Sequence, residues 1–99
     1  MSISPQNLEG AIVLVGVTRE RKDGTVTQEQ YSGVASVERF DEMSVVNIHC
    51  DDGEVRNYPF DEQTLEVARP GEYRLRSTGK IIVDPHYLMT WIVKEALDS

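Results

Sequence analysis

The sequence has very little of what most catalytic and metal-binding sites are built from. It contains one cysteine, Cys50, and two histidines, His49 and His86, among its 99 residues. A single cysteine excludes a disulfide within the chain, and the spacing of these three residues matches no zinc motif. Glycine-rich phosphate loops and a Gly-x-Ser-x-Gly element are also absent from the sequence. We therefore expect no cofactor, no metal ion and no enzymatic activity.

Long hydrophobic runs are lacking as well. The longest apolar stretches are Ala11–Val15 and Leu88–Val93, far shorter than the ~20 residues that a membrane helix needs. No basic segment followed by an apolar stretch opens the chain, so we expect no signal peptide. A lone thiol suits a reducing compartment. We therefore expect a cytoplasmic protein that does not associate with membranes.

What the chain does have is a one-sided distribution of charge. Its 17 acids and 10 bases give a formal net charge of −7. Between Glu38 and Glu72 there are ten acids and three bases, so this segment holds the whole net charge, and the remaining residues balance. A surface of this kind repels nucleic acid and attracts basic proteins.

The pattern of apolar runs and turns predicts an all-β, mainly antiparallel fold. Turn signals recur about every 8–12 residues, which is typical of a small barrel or sandwich. We predict an SH3-like or Sm-like barrel, or a meander, of about six or seven strands. The barrel domain should span residues 10–95, with a loose lead-in over 1–9 and a tail over 96–99. Hairpin turns are expected at Asp23-Gly24 (type I′), Asp51-Asp52-Gly53 and Ser77-Thr78-Gly79.

Three segments of the chain predict departures from regular hairpins. Gly33 interrupts the long β-rich stretch Thr25–Phe40 and predicts a bend there. Asp61 is a good helix N-cap, and it predicts one short helix near residues 61–68. For residues 86–97 the alternation of Tyr87, Met89, Trp91 and Val93 favours a strand. The alternative there is a helix that begins at Asp84-Pro85 and runs to Leu97.

The stretch Gly33–Val46 resembles the first Sm-type signature. In that family a glycine-bent strand leads into an aspartate loop, a Met-Asn pair and an apolar strand, and Gly33, Asp41 and Met43 stand at corresponding places here. Ser44 replaces the asparagine, and the spacing from Gly33 to Asp41 is longer than in the family. The basic Arg-Gly element with which Sm proteins hold RNA has no counterpart. The resemblance therefore implies barrel geometry and not RNA binding.

The acidic segment supplies the candidate binding residues. If residues 44–50 and 54–60 pair as a hairpin, acids collect at both of its ends. The tip cluster is Asp51, Asp52 and Glu54; the open-end cluster is Asp41, Glu42, Asp61 and Glu62. The tip cluster is the stronger docking candidate, and the open-end cluster is the one candidate site for Ca²⁺ or Mg²⁺.

These features predict a small acidic protein-binding module without enzymatic activity, acting as an accessory, inhibitor or adaptor protein. It would dock a basic protein through the 38–72 hairpin region, and it is also compatible with homo-oligomers. One alternative is a nucleic-acid mimic that blocks a DNA- or RNA-binding protein. The other is a ligand-binding barrel or an enzyme, for which Cys50 and His86 would be the conceivable dyad. Aromatic residues from Tyr58 to Trp91 either line a groove or fill the core, and the core is favoured.

Overall fold

The computed structural model describes residues 3–76 and 78–94. In this part of the chain the elements are α1 (Pro5–Leu8), β1 (Ile12–Glu20), β2 (Val26–Phe40), β3 (Met43–Cys50), β4 (Val55–Pro59), a 3₁₀ turn (Glu62–Thr64), β5 (Leu65–Val67), β6 (Glu72–Arg74), β7 (Ile81–Val83) and β8 (Tyr87–Lys94). A mixed six-stranded sheet has the order β4-β3-β2-β1-β8-β5, and β6 and β7 form a separate two-stranded sheet. No helix among the described residues is long and apolar enough to cross a membrane.

The predicted β architecture is confirmed, but a closed barrel is not formed. The large sheet has two separate edges, β4 and β5, which do not pair with each other. Its pairings are antiparallel except for β1 with β8, which is parallel. Parallel neighbours need a long connection, and here the chain between the two strands is long enough to supply it. The alternation within β8 is the same for either strand direction, so the sequence pattern did not reveal this pairing.

The segment near 61–68 is only partly as predicted. Asp61 does act as a cap, since its Oδ1 accepts from the backbone N–H of Gln63, but the helical part is a single 3₁₀ turn. Residues 65–67 form β5 instead, because Leu65 pairs with Met89 of β8 and buries its side chain there. The strand prediction for β8 is confirmed. The continuation to Leu97 and the expected tail over 96–99 lie outside the described residues.

The expected loose lead-in over residues 1–9 instead contains a turn of helix, α1. Asn7 Oδ1 accepts from the backbone N–H and the hydroxyl of Ser4, and Pro5 occupies the first helical turn, where its missing N–H is not needed. Leu8 is completely buried within the hydrophobic core. Burial of this side chain explains why the segment is ordered against the sheet.

One face of the large sheet forms the core. The fully buried side chains include Val13, Val15, Val46, Ile48 and Met89. They lie on one face of the sheet, because directly paired residues of neighbouring strands point to the same face and residues two apart along a strand do so as well.

The sheet curls strongly around this core. The ring of Tyr58 on β4 stacks on Trp91 of β8, with centroids 5.6 Å apart and planes 15° apart. Strands β3, β2 and β1 lie between β4 and β8 in the sheet, so only curvature brings the two rings together. The predicted core role of Tyr58 and Trp91 agrees with this packing, since both are half-buried against the core.

Gly33 marks the point where β2 changes partners. Residues 26–34 pair with β1 and residues 33–40 pair with β3. A Cβ atom at Gly33 would lie 2.3 Å from the backbone oxygen of His49 and 2.9 Å from Cγ2 of Ile48. The missing side chain therefore permits a close approach between β2 and β3 at the predicted bend.

The first two hairpin turns occur where predicted, but the first is not type I′. Gly24 has a φ of 89°, whereas Asp23 does not have a positive φ, and a type I′ turn needs both. The backbone N–H of Gly24 donates to the carbonyl oxygen of Arg21, as in a turn closed by a left-handed glycine. Thr25 donates its N–H and hydroxyl to Asp23, and these bonds hold the pKa of the Asp23 carboxyl below its usual value.

The β4 edge of the sheet is only partly able to pair with another strand. The backbone N–H of Cys50 donates to Glu54, and that of Phe60 donates to Ser44. In an antiparallel pair every second residue of a strand bonds to the neighbouring strand. The N–H groups of Val55 and Asn57 therefore point away from β3. Pro59 occupies the next outward position and has no N–H to offer. Proline at an edge position of this kind hinders unwanted strand pairing.

We expect Gly33→Ala to destabilise the protein by about 3 kcal/mol, because the new methyl group collides with backbone and overpacking of this kind is costly. Gly16→Ala is the matched control, since a Cβ at Gly16 of β1 meets nothing within 4 Å. The control should raise stability by up to about 1 kcal/mol, because alanine is favoured over glycine inside a strand. Urea unfolding followed by circular dichroism measures both. Equal stability of the two variants would contradict the close approach.

Candidate functional site

The tip cluster lies on the exposed turn between β3 and β4, and most of its charge is paired within the chain. The ammonium group of Lys80 contacts the carboxylate of Asp51. Glu54 pairs with Arg56, with 3.2 Å between Oε2 and Nη2. Asp52 Oδ1 accepts from the backbone N–H of Glu54. The Lys80 contact depends on where the β6–β7 hairpin packs, a long-range feature that the local sequence pattern does not encode.

The open-end cluster is not neutralised in this way. Asp41 and Glu42 form the turn between β2 and β3, and Asp61 and Glu62 follow β4. The backbone N–H of Phe60 donates to Ser44, which places the two pairs at the same end of the sheet. All four side chains belong to exposed residues. No lysine or arginine of the described segments forms an ion pair with them.

Two of the four open-end carboxylates have structural partners. Asp61 caps the 3₁₀ turn, and Glu62 Oε2 accepts from the backbone N–H of Ile3 at 3.2 Å. Within residues 3–76 and 78–94, no group of three or more histidine, cysteine, aspartate or glutamate side chains is placed to hold a metal ion. The geometry of the described residues therefore lends no support to the alternative of a Ca²⁺ or Mg²⁺ site at this end.

Two large apolar side chains stand beside the acids. Phe40 and Met43 are the last cross-strand pair before the Asp41-Glu42 turn, and their exposed fractions are 56% and 58%. Phenylalanine and methionine are enriched at protein–protein interfaces. The open end therefore combines exposed apolar surface with carboxylates that have no ion-pair partner among the described residues, which is a combination suited to docking.

A cleft opens next to this turn, between the N-terminal segment and the ends of β2 and β3. Its volume is about 690 Å³, and it is lined by Ser4, Pro5, Gln6, Glu9, Val37, Arg39 and Ser44. Glu9 Oε2 accepts from the backbone N–H of Val37 at 2.6 Å, which joins the end of the N-terminal segment to β2. The hydrogen bond from Ile3 to Glu62 joins the start of the same segment to the 3₁₀ turn. These two carboxylates hold the wall of the cleft in place.

Sequence reasoning missed this cleft because it left residues 1–9 without structure. The signal that was available is Ser4 followed by Pro5, a combination favoured at the start of a helix. Ile3 and Leu8 flank this start and are both buried. A turn of helix with two apolar anchors is enough to build one wall.

The conceivable Cys50–His86 dyad is not formed. The thiol of Cys50 donates to the carbonyl oxygen of Ile48, with 3.8 Å between sulfur and oxygen. His86 Nδ1 accepts from the backbone N–H of Ile12 at 2.9 Å. Burial is the main cause that raises the pKa of the Cys50 thiol, which is the opposite of what an activated nucleophile needs.

The raised pKa predicts a sluggish thiol. At pH 8 a thiol of raised pKa holds less thiolate than a free cysteine, so Cys50 should react with Ellman's reagent more slowly in the folded protein than in 8 M urea. The rate in the folded protein should still be climbing as the pH passes 9. Equal rates in the folded and unfolded protein would contradict the burial of Cys50.

We compared the chain with protein-family models, with curated proteins and with solved structures, and none of the three comparisons gives a match. The functional argument therefore depends on the residues and their geometry alone.

Proposed function

We propose that this protein is a non-enzymatic binding module that docks a basic protein through its open-end cluster. The observation that carries the proposal is the group Asp41, Glu42, Asp61 and Glu62, exposed and without an ion-pair partner among the described residues. Such a module would serve as an accessory, inhibitor or adaptor protein. Its proposed compartment is the cytoplasm, because its one cysteine is free.

The two acidic clusters contribute differently to this docking. Charge acts over about 8–10 Å at physiological salt, so both clusters steer an approaching basic surface. At contact the tip cluster is weaker, because Asp51 and Glu54 already have the cations Lys80 and Arg56 beside them. We therefore propose the open end as the preferred docking site, in place of the tip, which the sequence favours.

A protein partner is proposed rather than nucleic acid, because acids outnumber bases in the chain and several basic side chains already form ion pairs. Arg19 pairs with Glu29 at 3.7 Å and Lys94 with Glu20 at 3.9 Å. Nucleic-acid binding depends on free cations that replace the counterions of the phosphates. The chain carries ten lysines and arginines in total, against 17 acids.

Neutralising the open-end cluster tests the proposal. The variant Asp41→Asn, Glu42→Gln, Asp61→Asn and Glu62→Gln keeps one acceptor oxygen in each side chain but removes four charges. If each exposed charge contributes about 0.5 kcal/mol, binding of the basic partner weakens by roughly 30-fold. The measurement is quantitative affinity capture from the cell of origin at 50 mM and 500 mM salt, and capture by the native protein should fall steeply as salt rises.

Two matched variants serve as controls. Neutralising the tip residues Asp51, Asp52 and Glu54 should weaken capture less than the open-end variant does. Neutralising Glu20, Asp23 and Asp84, which lie outside the acidic segment, should weaken it least. Equal losses in all three variants would show that only net charge matters. Salt-independent capture that no variant changes would overturn the proposal.

A second measurement separates this function from binding to polyanions. We expect the native protein to pass through a heparin column without retention at 50 mM salt, because its net charge is −7. The variant Glu29→Gln, which releases Arg19 from its ion pair, should also pass through, since one freed cation is too few. Retention of the native protein would contradict a basic protein as its partner.

A further inference from the structure

We propose that the cleft beside α1 receives an apolar side chain from an extended, lysine- or arginine-rich segment of the partner. This inference rests on the proposed function and names the kind of partner that it implies. It adds a contact that charge alone does not supply, namely an apolar anchor between basic residues.

The shape of the cleft fits a side chain of a peptide. Its volume of about 690 Å³ lies within the range of ~300–1,000 Å³ that is typical of ligand sites. One wall is α1 with Pro5 and Gln6, and the other is formed by the ends of β2 and β3 with Val37 and Ser44. Pro5 and Val37 offer apolar surface on opposite sides, so a leucine-sized group would be covered from both.

The rim of the cleft is negatively charged and favours basic residues on either side of the partner's apolar side chain. Glu9 lines the cleft, and Glu62 holds Ile3, the neighbour of the lining residue Ser4. Both glutamates use Oε2 for a backbone N–H, so the contacts of the described residues leave Oε1 of each for an incoming cation. Asp41 and Glu42 extend the same negative rim beyond Ser44.

Arg39 is the one basic residue in the lining, and it makes the inference testable. Its Nε donates to the carbonyl oxygen of Asp41 at 3.2 Å, and the residue is exposed. For a cationic segment Arg39 is unfavourable, so removing its charge should tighten binding. For an acidic segment Arg39 would be the main attraction, so the same substitution should weaken binding. The sign of the effect therefore distinguishes the two kinds of partner.

The experiment uses two synthetic pentapeptides with blocked ends, each with four lysines around a central residue that is leucine in one and alanine in the other. Both are titrated into ¹⁵N-labelled full-length protein at 20 mM salt, with amide chemical shifts as the readout. The leucine peptide should bind about tenfold more tightly than the alanine peptide, because its side chain is buried in the cleft. Only the leucine peptide should shift the amides of Gln6, Val37 and Ser44.

Four variants test whether the leucine side chain occupies the cleft. Ser44→Trp fills the cleft and should reduce the affinity of the leucine peptide to that of the alanine peptide. If the Ser44→Trp protein does not fold, the Gln6→Trp variant is used for the same test. Thr90→Trp is the matched control, since Thr90 lies on the exposed face of β8 away from the cleft, and it should leave the difference intact. Arg39→Gln should tighten the binding of both peptides about twofold.

The outcomes separate this inference from the proposed function. If both peptides bind equally well and shift only residues 41–42 and 61–62, the cleft inference fails and the electrostatic docking stands. If neither peptide binds at 20 mM salt, the electrostatic docking itself fails. Weaker binding after Arg39→Gln would assign the cleft to an acidic segment and overturn the inference. Shifts of the cleft amides with protein concentration alone would assign it to a second copy of the chain, with the same consequence.

Discussion

The close approach of β2 to β3 at Gly33 is the constraint on which the rest of the structure depends. β2 is 15 residues long, and it serves β1 with its first part and β3 with its last. At the change of partner the backbone of His49 occupies the space that a side chain would fill. Because β2 is shared in this way, the hairpins before and after Gly33 belong to one continuous curved sheet.

Curvature explains both the core and the candidate site. It turns Val15, Ile48 and Met89 toward each other and brings Tyr58 of β4 onto Trp91 of β8. The same curvature leaves a gap in the core at one end, and there Leu8 of α1 is buried. The cleft and the open-end acids lie around this insertion. The site is therefore a consequence of how the curled sheet is completed by the N-terminal segment.

Arg56 illustrates how the curled face accommodates charge. Its guanidinium lies over the ring of Tyr31, 4.4 Å from the centroid, and also pairs with Glu54. A cation held by both a ring and a carboxylate stays beside the tip, where its charge offsets that of Glu54. The ion pairs of Arg56 with Glu54 and of Lys80 with Asp51 thus reduce the effective negative charge of the tip.

Much of the local structure could be predicted from the sequence. The strand alternation identified β8, and turn residues located the first two hairpins, because both signals depend on neighbours along the chain. The parallel pairing of β1 with β8 and the contact between Lys80 and Asp51 could not be predicted, since they depend on where distant elements pack. The acids of the site were identified from composition, but only the structure shows which of them have an ion-pair partner among the described residues. The cleft was missed because Ser4-Pro5 was not interpreted as the start of a helix.

Amide hydrogen exchange along β4 distinguishes a sheet that curls onto itself without closing from a closed barrel. We expect slow exchange for the amides of Arg56 and Tyr58, which bond to β3, and fast exchange for those of Val55 and Asn57, which point away from it. Slow exchange at all four would mean that β4 has a second partner and that the barrel is closed. Fast exchange at all four would mean that β4 is not held in the sheet. Either result would overturn the architecture described here.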